Sequence, residues 1–594
     1  MSTELERYAA IGDMRTLGLV ADSGSLDWWC WPRFDSPSVF GRLLDDDGGH
    51  WQVEPAETVV ARRQVYLSAT NVLVTRMHTD AGVLELDDLM SVGEDRMIIR
   101  RARCVRGTVD VRSSMVVRPD YGRADARFTE NDDGTVAIEL GDAPPLSASA
   151  SVPLEVHDDV VRSSCVLGEG DSVWFALGVG GSELDIDAII AETVDYWQFW
   201  TARSTYRGRW REAVERSALV LKLLTSIDTG GLIAAGTTSL PEVVGGERNW
   251  DYRYVWIRDA AFTLYAFLEL GYATEAAAFT DWLTDRLANC ADRCTAADRP
   301  PLSPLYDLDG NDDLAEETLD HWDGWADSRP VRIGNAASAQ MQLDIYGELI
   351  DSVYIADKQS DGVSLATWRH VCTLVDWVVE HWDQPDDGMW EARNGPRRYT
   401  SSLLMCWVAV ERAMRMARRR GRPGDLVTWQ QARDEMHATL VDRGFSDDLA
   451  AFTQTLDGDT LDASVLLMPL VKFVAPTDPM WTGTLDAIGD QLAHGPLVDR
   501  YDPEAMDDGL AGDEGSFTIC SFWYVEALSR SGKVDEARRH FDRLLTYASP
   551  TGLFSEEIGP NGRLLGNFPQ AFTHLALISA AVSLDENLAT RNPS

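Results

Sequence analysis

The chain has 594 residues, 45% hydrophobic and 25% charged, the proportions of an ordinary folded protein with material for more than one domain. Its 96 acidic against 53 basic residues leave a formal charge of −43, which argues against nucleic acid or an anionic membrane as partner, because both would be repelled. No segment reaches the roughly 20 apolar residues of a membrane span, and the N-terminal MSTELERYAA lacks the basic start and apolar core of a secretory signal, so a cytoplasmic location is expected.

From about residue 50 to 180 short apolar and polar positions alternate, as in Asn71–Thr79, Met97–Val105, Val109–Val117 and Asp171–Val179, with turn signals such as Asp133–Gly134 between them. That pattern predicts an antiparallel β-sandwich. After Ile186 the period becomes helical, with a bridging helix predicted at about 187–203. Twelve further helical runs are expected at roughly 210–226, 258–269, 273–289, 336–354, 363–381, 399–419, 424–443, 460–472, 479–493, 517–531, 534–547 and 569–584. Twelve helices in hairpin pairs make six repeats that close into an (α/α)6 barrel. The predicted division is a sandwich domain over residues 1–186, a helical linker over 187–207 and the barrel over 208–594.

Only four of the basic residues are lysine, at positions 222, 358, 472 and 533. Such an acidic, lysine-poor surface suits a salty cytoplasm, and a GC-rich genome would produce the same bias. Cys290 and Cys294 lie one helical turn apart without a matching Cys/His pair, so reduced thiols are expected rather than zinc or disulfides. The acidic run DLDGNDD (Asp307–Asp313) lacks the spacing and terminal Glu of a calcium loop and reads as a solvated turn. With no HExxH, P-loop or GxGxxG in the chain, neither a metal nor a nucleotide cofactor is called for.

The densest chemistry lies in RNWDYRYVWIRDAAFTLYAF (Arg248–Phe267), where aromatic rings surround Arg/Asp groupings at the start of an apolar helix. Flat rings stack on the apolar faces of a pyranose, and a guanidinium with a carboxylate can hold its hydroxyls in a fixed fork. A core-packed helix entrance with a structural Arg258–Asp259 contact is the alternative. DDGMWEAR (Asp386–Arg393) and TGLFSEEIG (Thr551–Gly559) each set a glutamate in a glycine-containing turn beside a bulky apolar residue, a setting that desolvates a carboxyl group. Two such carboxyls, far apart in the chain, are the apparatus of glycoside cleavage.

In order along the chain, IGDMRTLGLVADSGSLDWWCWPRFDSPS (Ile11–Ser38), RNWDYRYVWIRD, SRPVRIGNAASAQMQLDIYGE (Ser328–Glu348), GMWEARNGPRRYTSSLLMCW (Gly388–Trp407), DDGLAGDEGSFTICSFW (Asp507–Trp523) and LFSEEIGPNGRLLGNFPQAFTHLAL (Leu553–Leu577) resemble the bacterial glucoamylase-type enzymes of glycoside hydrolase family 15. That family also contains trehalases, glucodextranases and isomaltose-releasing enzymes, and the resemblance runs from about Tyr8 to about Ala581.

The resemblance implies the same sandwich-plus-barrel fold and makes Glu391 the general acid, with Trp390 as its apolar wall. It makes Glu556 the general base, although adjacent loop residues point different ways and the residues alone leave Glu557 open. Arg258 and Asp259 match the pair that holds the outer hydroxyls of the terminal glucose, with Trp256 as a lining ring. Arg500 matches an arginine near the scissile bond, or forms a surface pair with Asp499 or Asp502. Trp325 and Arg332 fall in a loop that lines the cup, Arg332 serving equally well as a structural clamp. Trp29 or Trp31 reaches the leaving-group subsite or else packs between domains. Ala392 stands where fungal glucoamylases carry a second carboxylate, so contacts with the leaving sugar must differ.

The implied activity is exo-acting, inverting hydrolysis of short α-glucosides with release of β-glucose from the non-reducing end, trehalose or isomaltose ahead of malto-oligosaccharides. Inversion implies carboxyls roughly 6.5–9.5 Å apart. The alternatives are an α-glucoside phosphorylase and a non-catalytic glucan-binding protein. The expected partner is a small α-glucoside; the linkage and any homo-oligomer remain open.

Overall fold

The alternating segments pair as antiparallel strands around one very long strand, Met97–Val116, in a computed structural model that describes residues 2–93, 95–180, 184–293, 300–359, 362–503, 505, 509 and 514–591. The first half of that strand lies between Gly82–Met90 and Ser172–Gly178, and its second half between His50–Pro55 and Val160–Gly168. It changes sheets at Gly107, whose φ of +75 and the adjacent register shift bend the strand as sandwich corners require. Side chains from both sheets, including Trp29, Trp31, Phe40, Trp51, Ile98 and Phe175, fill the space between them. Strands begin at Tyr8, well before the region where alternation is visible, because Tyr8–Gly12, Leu17–Ala21 and Ser25–Cys30 are buried at every position and show no polar face.

Helix α1 (Ile186–Ala202) bridges to the second part of the chain, and Asp185 caps it by accepting the Ala188 N–H at 3.1 Å. The remaining helices are α2 (Arg211–Leu224), α3 (Ala260–Glu269), α4 (Ala273–Arg293), α5 (Asp344–Gln359), α6 (Leu365–His381), α7 (Thr400–Arg420), α8 (Leu426–Arg443), α9 (Pro479–Gln491), α10 (Thr518–Arg530), α11 (Val534–Leu544) and α12 (Ala571–Arg591). An inner ring runs α3, α5, α7, a 3-10 turn, α10 and α12, which returns to α3; the others pack outside it as an (α/α)6 barrel. Inner helices are buried over most of their length, and α10 is buried at every position from Thr518 to Ser529. Outer α11 buries only Val534, Ala537, Phe541 and Leu544, the single stripe of an amphipathic helix.

The eighth predicted helix of the barrel, 460–472, is where structure and expectation part. The segment forms only the 3-10 helix Ala463–Leu467. Pro469 has no N–H to donate, and its ring excludes the carbonyl of the residue four positions earlier, so an α-helix cannot pass through it. The predicted helix at 336–354 likewise starts late, at Asp344, after a separate 3-10 turn at Ala336–Ala339.

The sandwich covers the side of the barrel mouth. Trp28 donates its indole N–H to Gly236 O at 2.8 Å, and the buried Arg253 guanidinium donates to Tyr121 Oη and Ser36 O, both at 2.8 Å. Trp29 and Trp31, expected at the leaving-group subsite or between domains, instead sit inside the sandwich and donate to Thr16 Oγ1 and Pro144 O. Asp307–Asp313 closes on itself, Asn311 donating to Asp307. The Cys290 side chain and Cys294 lie outside the described residues, as do Asp507, Asp508 and 510–513 of one quoted motif. Among the described residues no helix is long and apolar enough to cross a membrane.

Candidate active site

An enclosed cavity opens where the inner helices begin. The long crossing between α2 and α3 brings Glu242, Arg248, Trp250, Tyr252 and Arg258 to it; the loop before α7 brings Trp390, Glu391, Ala392 and Arg393. Arg500, the start of α10, Glu556 and the first turn of α12 complete the wall. The positive dipole ends of these helices lie at this end of the barrel, a favourable setting for carboxylates and hydroxyl oxygens.

Glu391 is held in a left-handed backbone conformation, φ +61, on a loop closed by paired Asp386 and Arg397 backbone bonds of 2.8 Å. Asp387 accepts the Met341 N–H at 3.0 Å, and Asp386 accepts the Leu343 N–H at 2.9 Å and the Ser402 hydroxyl at 2.7 Å, so both aspartates pin the loop to the segment before α5. A left-handed glutamate persists only where its surroundings over-determine it. Its Oε1 accepts the Trp256 indole N–H at 2.7 Å and Arg258 Nη1 at 3.4 Å. Trp256 is therefore a buried donor beneath the carboxyl rather than a ring on the cavity wall. Trp390 does line the wall; its N–H bridges both oxygens of Asp462 at 3.0 and 3.1 Å, and its ring packs against Phe517.

Arg258 also faces the cavity, anchored by Met389 O at 2.8 Å. Asp259 lies behind it, its Oδ1 accepting Arg258 Nε at 3.1 Å, and burial pushes its carboxyl up to about 6. The pair thus acts in depth, one member toward the cavity and the other as its buttress.

Strand geometry decides between Glu556 and Glu557. The short strand Glu557–Ile558 pairs with Ser516–Phe517 on one side and Leu564–Leu565 on the other. Successive side chains of an extended segment point to opposite faces. Glu556 enters the cavity, where Gln570 Nε2 donates to it at 3.3 Å and the Tyr252 hydroxyl donates as well. Glu557 turns away and accepts the Gly515 N–H at 2.7 Å. Burial and then the Glu242 carboxylate raise Glu556 above the ordinary carboxyl range, against the pull of Tyr252, Arg500 and Arg258. Burial and the Glu242 and Glu514 carboxylates raise Glu557 well above it. Gly566 closes the back of Glu556 with φ +71; a Cβ there would stand 2.7 Å from Glu556 Oε2.

Arg500 lines the cavity without pairing to Asp499 or Asp502 on the surface as one expectation had it. It grips the buried Glu514 with Nε at 2.9 Å and Nη2 at 2.5 Å, and lies over Phe517 at 4.4 Å. Arg332 stands one layer back as a clamp: it bonds Glu247 O and Asn249 O, pairs with Glu316 at 3.1 Å and stacks under Trp250. Trp325 is elsewhere, in a groove between sandwich and barrel, donating its N–H to Thr3 O at 2.9 Å.

Several wall residues carry no role in the sequence reading. Trp250 and Tyr252 sit inside its aromatic motif, and Gln570 and Phe572 inside its last one, so their presence near the site was visible. Glu242 had no such signal.

The sequence profile of Glycosyl hydrolases family 15 matches residues 208–582, and that of the Trehalase-like, N-terminal domain matches residues 1–192. The chain belongs to glycosyl hydrolases family 15. It is 38% identical over 616 residues to a trehalase of Mycolicibacterium smegmatis, covering 97% of this chain and 90% of that protein. A trehalase of Thermoplasma volcanium is 34% identical over 604 residues, covering 99% and 94%. The fold is that of a bacterial glucoamylase solved in complex with acarbose, with TM-score 0.70 at 12% identity over 100% of this chain and 97% of the other. This family 15 protein is a glycoside hydrolase.

Proposed function

We propose that the enzyme hydrolyses trehalose with inversion, Glu391 serving as general acid and Glu556 as general base. The observation that carries this reading is that both carboxyls open on one enclosed cavity, each with its own donors. The trehalase names of relatives matched along nearly the whole chain favour trehalose over isomaltose, and an enclosed, arginine-lined pocket suits a short substrate bearing hydroxyls on both rings.

Because Glu391 Oε1 already accepts two N–H groups, its proton resides on Oε2 and passes to the glycosidic oxygen as that bond breaks. A water on the opposite face of the ring forms the new bond to the anomeric carbon and gives its proton to Glu556. Arg258, buttressed by Asp259, holds hydroxyls of the glucose that is attacked, and Trp390 supplies an apolar surface.

Trehalose makes inversion directly readable. The attacked glucose leaves as the β-anomer and the departing one keeps its α configuration, so proton NMR at early times is expected to show the two in equal amounts. Release of α-glucose alone would exclude inversion, and faster turnover of isomaltose or maltose would exclude the substrate. Glu391→Gln and Glu556→Gln should each lose on the order of 1,000-fold in kcat, and glucose release should persist in phosphate-free buffer, which a phosphorylase could not sustain.

A further inference from the structure

Glu242 lies on the long crossing before α3, and its buried side chain lines the cavity beside Glu556. Oε1 accepts the Trp250 indole N–H at 2.9 Å, while Oε2 is buried without a hydrogen-bond partner. The Arg500 Nη2 atom is 3.8 Å from Oε2, but that guanidinium is committed to Glu514 through two closer contacts, and Arg248 also pairs with Glu514, at 3.6 Å. Trp250 is itself locked between Arg332 and Arg393, at 4.5 and 4.0 Å, so the carboxyl it holds is fixed in place. A rigid, buried carboxylate oxygen without a hydrogen-bond partner, on a side chain that lines a reaction cavity, is an acceptor waiting for a donor.

We propose that Glu242 is a third working carboxylate of this site, whose Oε2 accepts a hydrogen bond from the attacking water and so aims it at the anomeric carbon. The inference rests on the assignment of Glu556 as base. A water has two protons to place: one passes to Glu556 as the new carbon–oxygen bond forms, and the other stays on the oxygen and points to Glu242. The Glu391 proton goes to the departing sugar, and Glu242 neither gains nor loses one. The nucleophile side is indicated by its neighbours. Glu242 lines the same cavity as Glu556 and is the charge that acts on it most strongly, whereas Glu391 is held by Trp256 and Arg258.

The same placement sets when the base is ionised. The charged and titratable groups facing Glu242 are Arg500, Glu514 and Arg248, then Glu556 and Glu557, with the Tyr252 hydroxyl bonded to Glu556 and under the charge of both carboxylates. A second negative charge beside Glu556 disfavours its ionised form, so removing that charge makes the base available at lower pH.

The experiment compares pH profiles of kcat/KM for Glu242→Gln, Glu242→Asp and Glu556→Gln on trehalose and on α-glucosyl fluoride, whose departure needs no proton. Glu242→Gln should lower kcat/KM on both substrates by on the order of 10- to 100-fold and move the acidic limb down by about one pH unit. Glu242→Asp, which keeps the charge, should leave the limb in place. Loss on trehalose with normal fluoride hydrolysis would assign Glu242 to the leaving sugar and overturn the proposal; so would loss on both substrates with an unmoved limb, the mark of packing alone. Full activity of Glu556→Gln would refute the base assignment itself, separately from these outcomes. A far-UV circular dichroism spectrum and a cooperative thermal transition like those of the unsubstituted enzyme check that Glu242→Gln is folded.

Discussion

Replacing Tyr252 by Phe removes one hydroxyl from the cavity and nothing else of consequence, since the ring still packs against Trp256 at 5.2 Å. That hydroxyl donates to Glu556, opposing the upward push of burial and Glu242. A hydrogen bond to a charged acceptor contributes about 1.5–3 kcal/mol, and one pKa unit corresponds to about 1.4 kcal/mol, so its loss should raise the Glu556 pKa by about one to two units. The base works only when ionised. Activity is lost as pH falls through that pKa, and the acidic limb of kcat/KM should therefore move up by the same amount. At pH well above the limb much of the rate should return, because Gln570 still positions the carboxyl. Glucose release from trehalose across a pH series measures it. A limb that stays in place, or moves down, refutes the coupling of Tyr252 to Glu556.

Two further outcomes follow from the charges around the site. Glu557→Gln should keep kcat/KM within about threefold, because burial favours the neutral form of this carboxyl, which the amide resembles, and the amide oxygen still accepts the Gly515 N–H; since a raised folded-state pKa means that the native protein loses stability as pH rises above the ordinary Glu value, thermal unfolding at alkaline pH should show the variant equally or more stable. Arg500→Met leaves the buried Glu514 carboxylate without its bidentate partner, which should cost about 3–5 kcal/mol in urea unfolding; an unchanged midpoint would show that Arg248 alone satisfies Glu514.

How much of this was legible in the sequence varied with the range of the interaction involved. The helical period located the outer helices closely, because each has one wet face. It overcalled 460–472, where the apolar pattern persists through Pro469 while the backbone cannot. The three strands before Phe34 were invisible as alternation because both faces are covered. Glu556 and Glu557 could not be told apart locally, since the strand that orients them pairs with Ser516–Phe517 and with Leu564–Leu565. Trp325 was drawn to the cup by its loop, yet its indole is taken by Thr3 near the chain start. Glu242 sits in an unremarkable bend between Pro241 and Val243, and only the fold reveals that it shares a wall with Glu556.

That wall sets a physical problem whose solution bears on the chemistry. Glu242, Glu514, Glu556 and Glu557 crowd two guanidiniums, Arg248 and Arg500, in a space almost free of solvent. Ionising all four would leave buried charge uncompensated at a cost no fold sustains, so the cluster must retain protons. Burial favours the protonated form of Glu557, which is turned away from the cavity, while Glu242 and Glu556 compete over the remaining negative charge. A base in that position is strong because repulsion from Glu242 favours its taking a proton from water, and it is usable because Tyr252, Arg500 and Arg258 keep its ionised form within reach. Proton uptake by Glu556 then relieves the repulsion at the moment the water bonds to the sugar. The buried like-charge pair thus favours the reaction over the resting state, which is why removing Glu242 should make the base easier to ionise and yet slower.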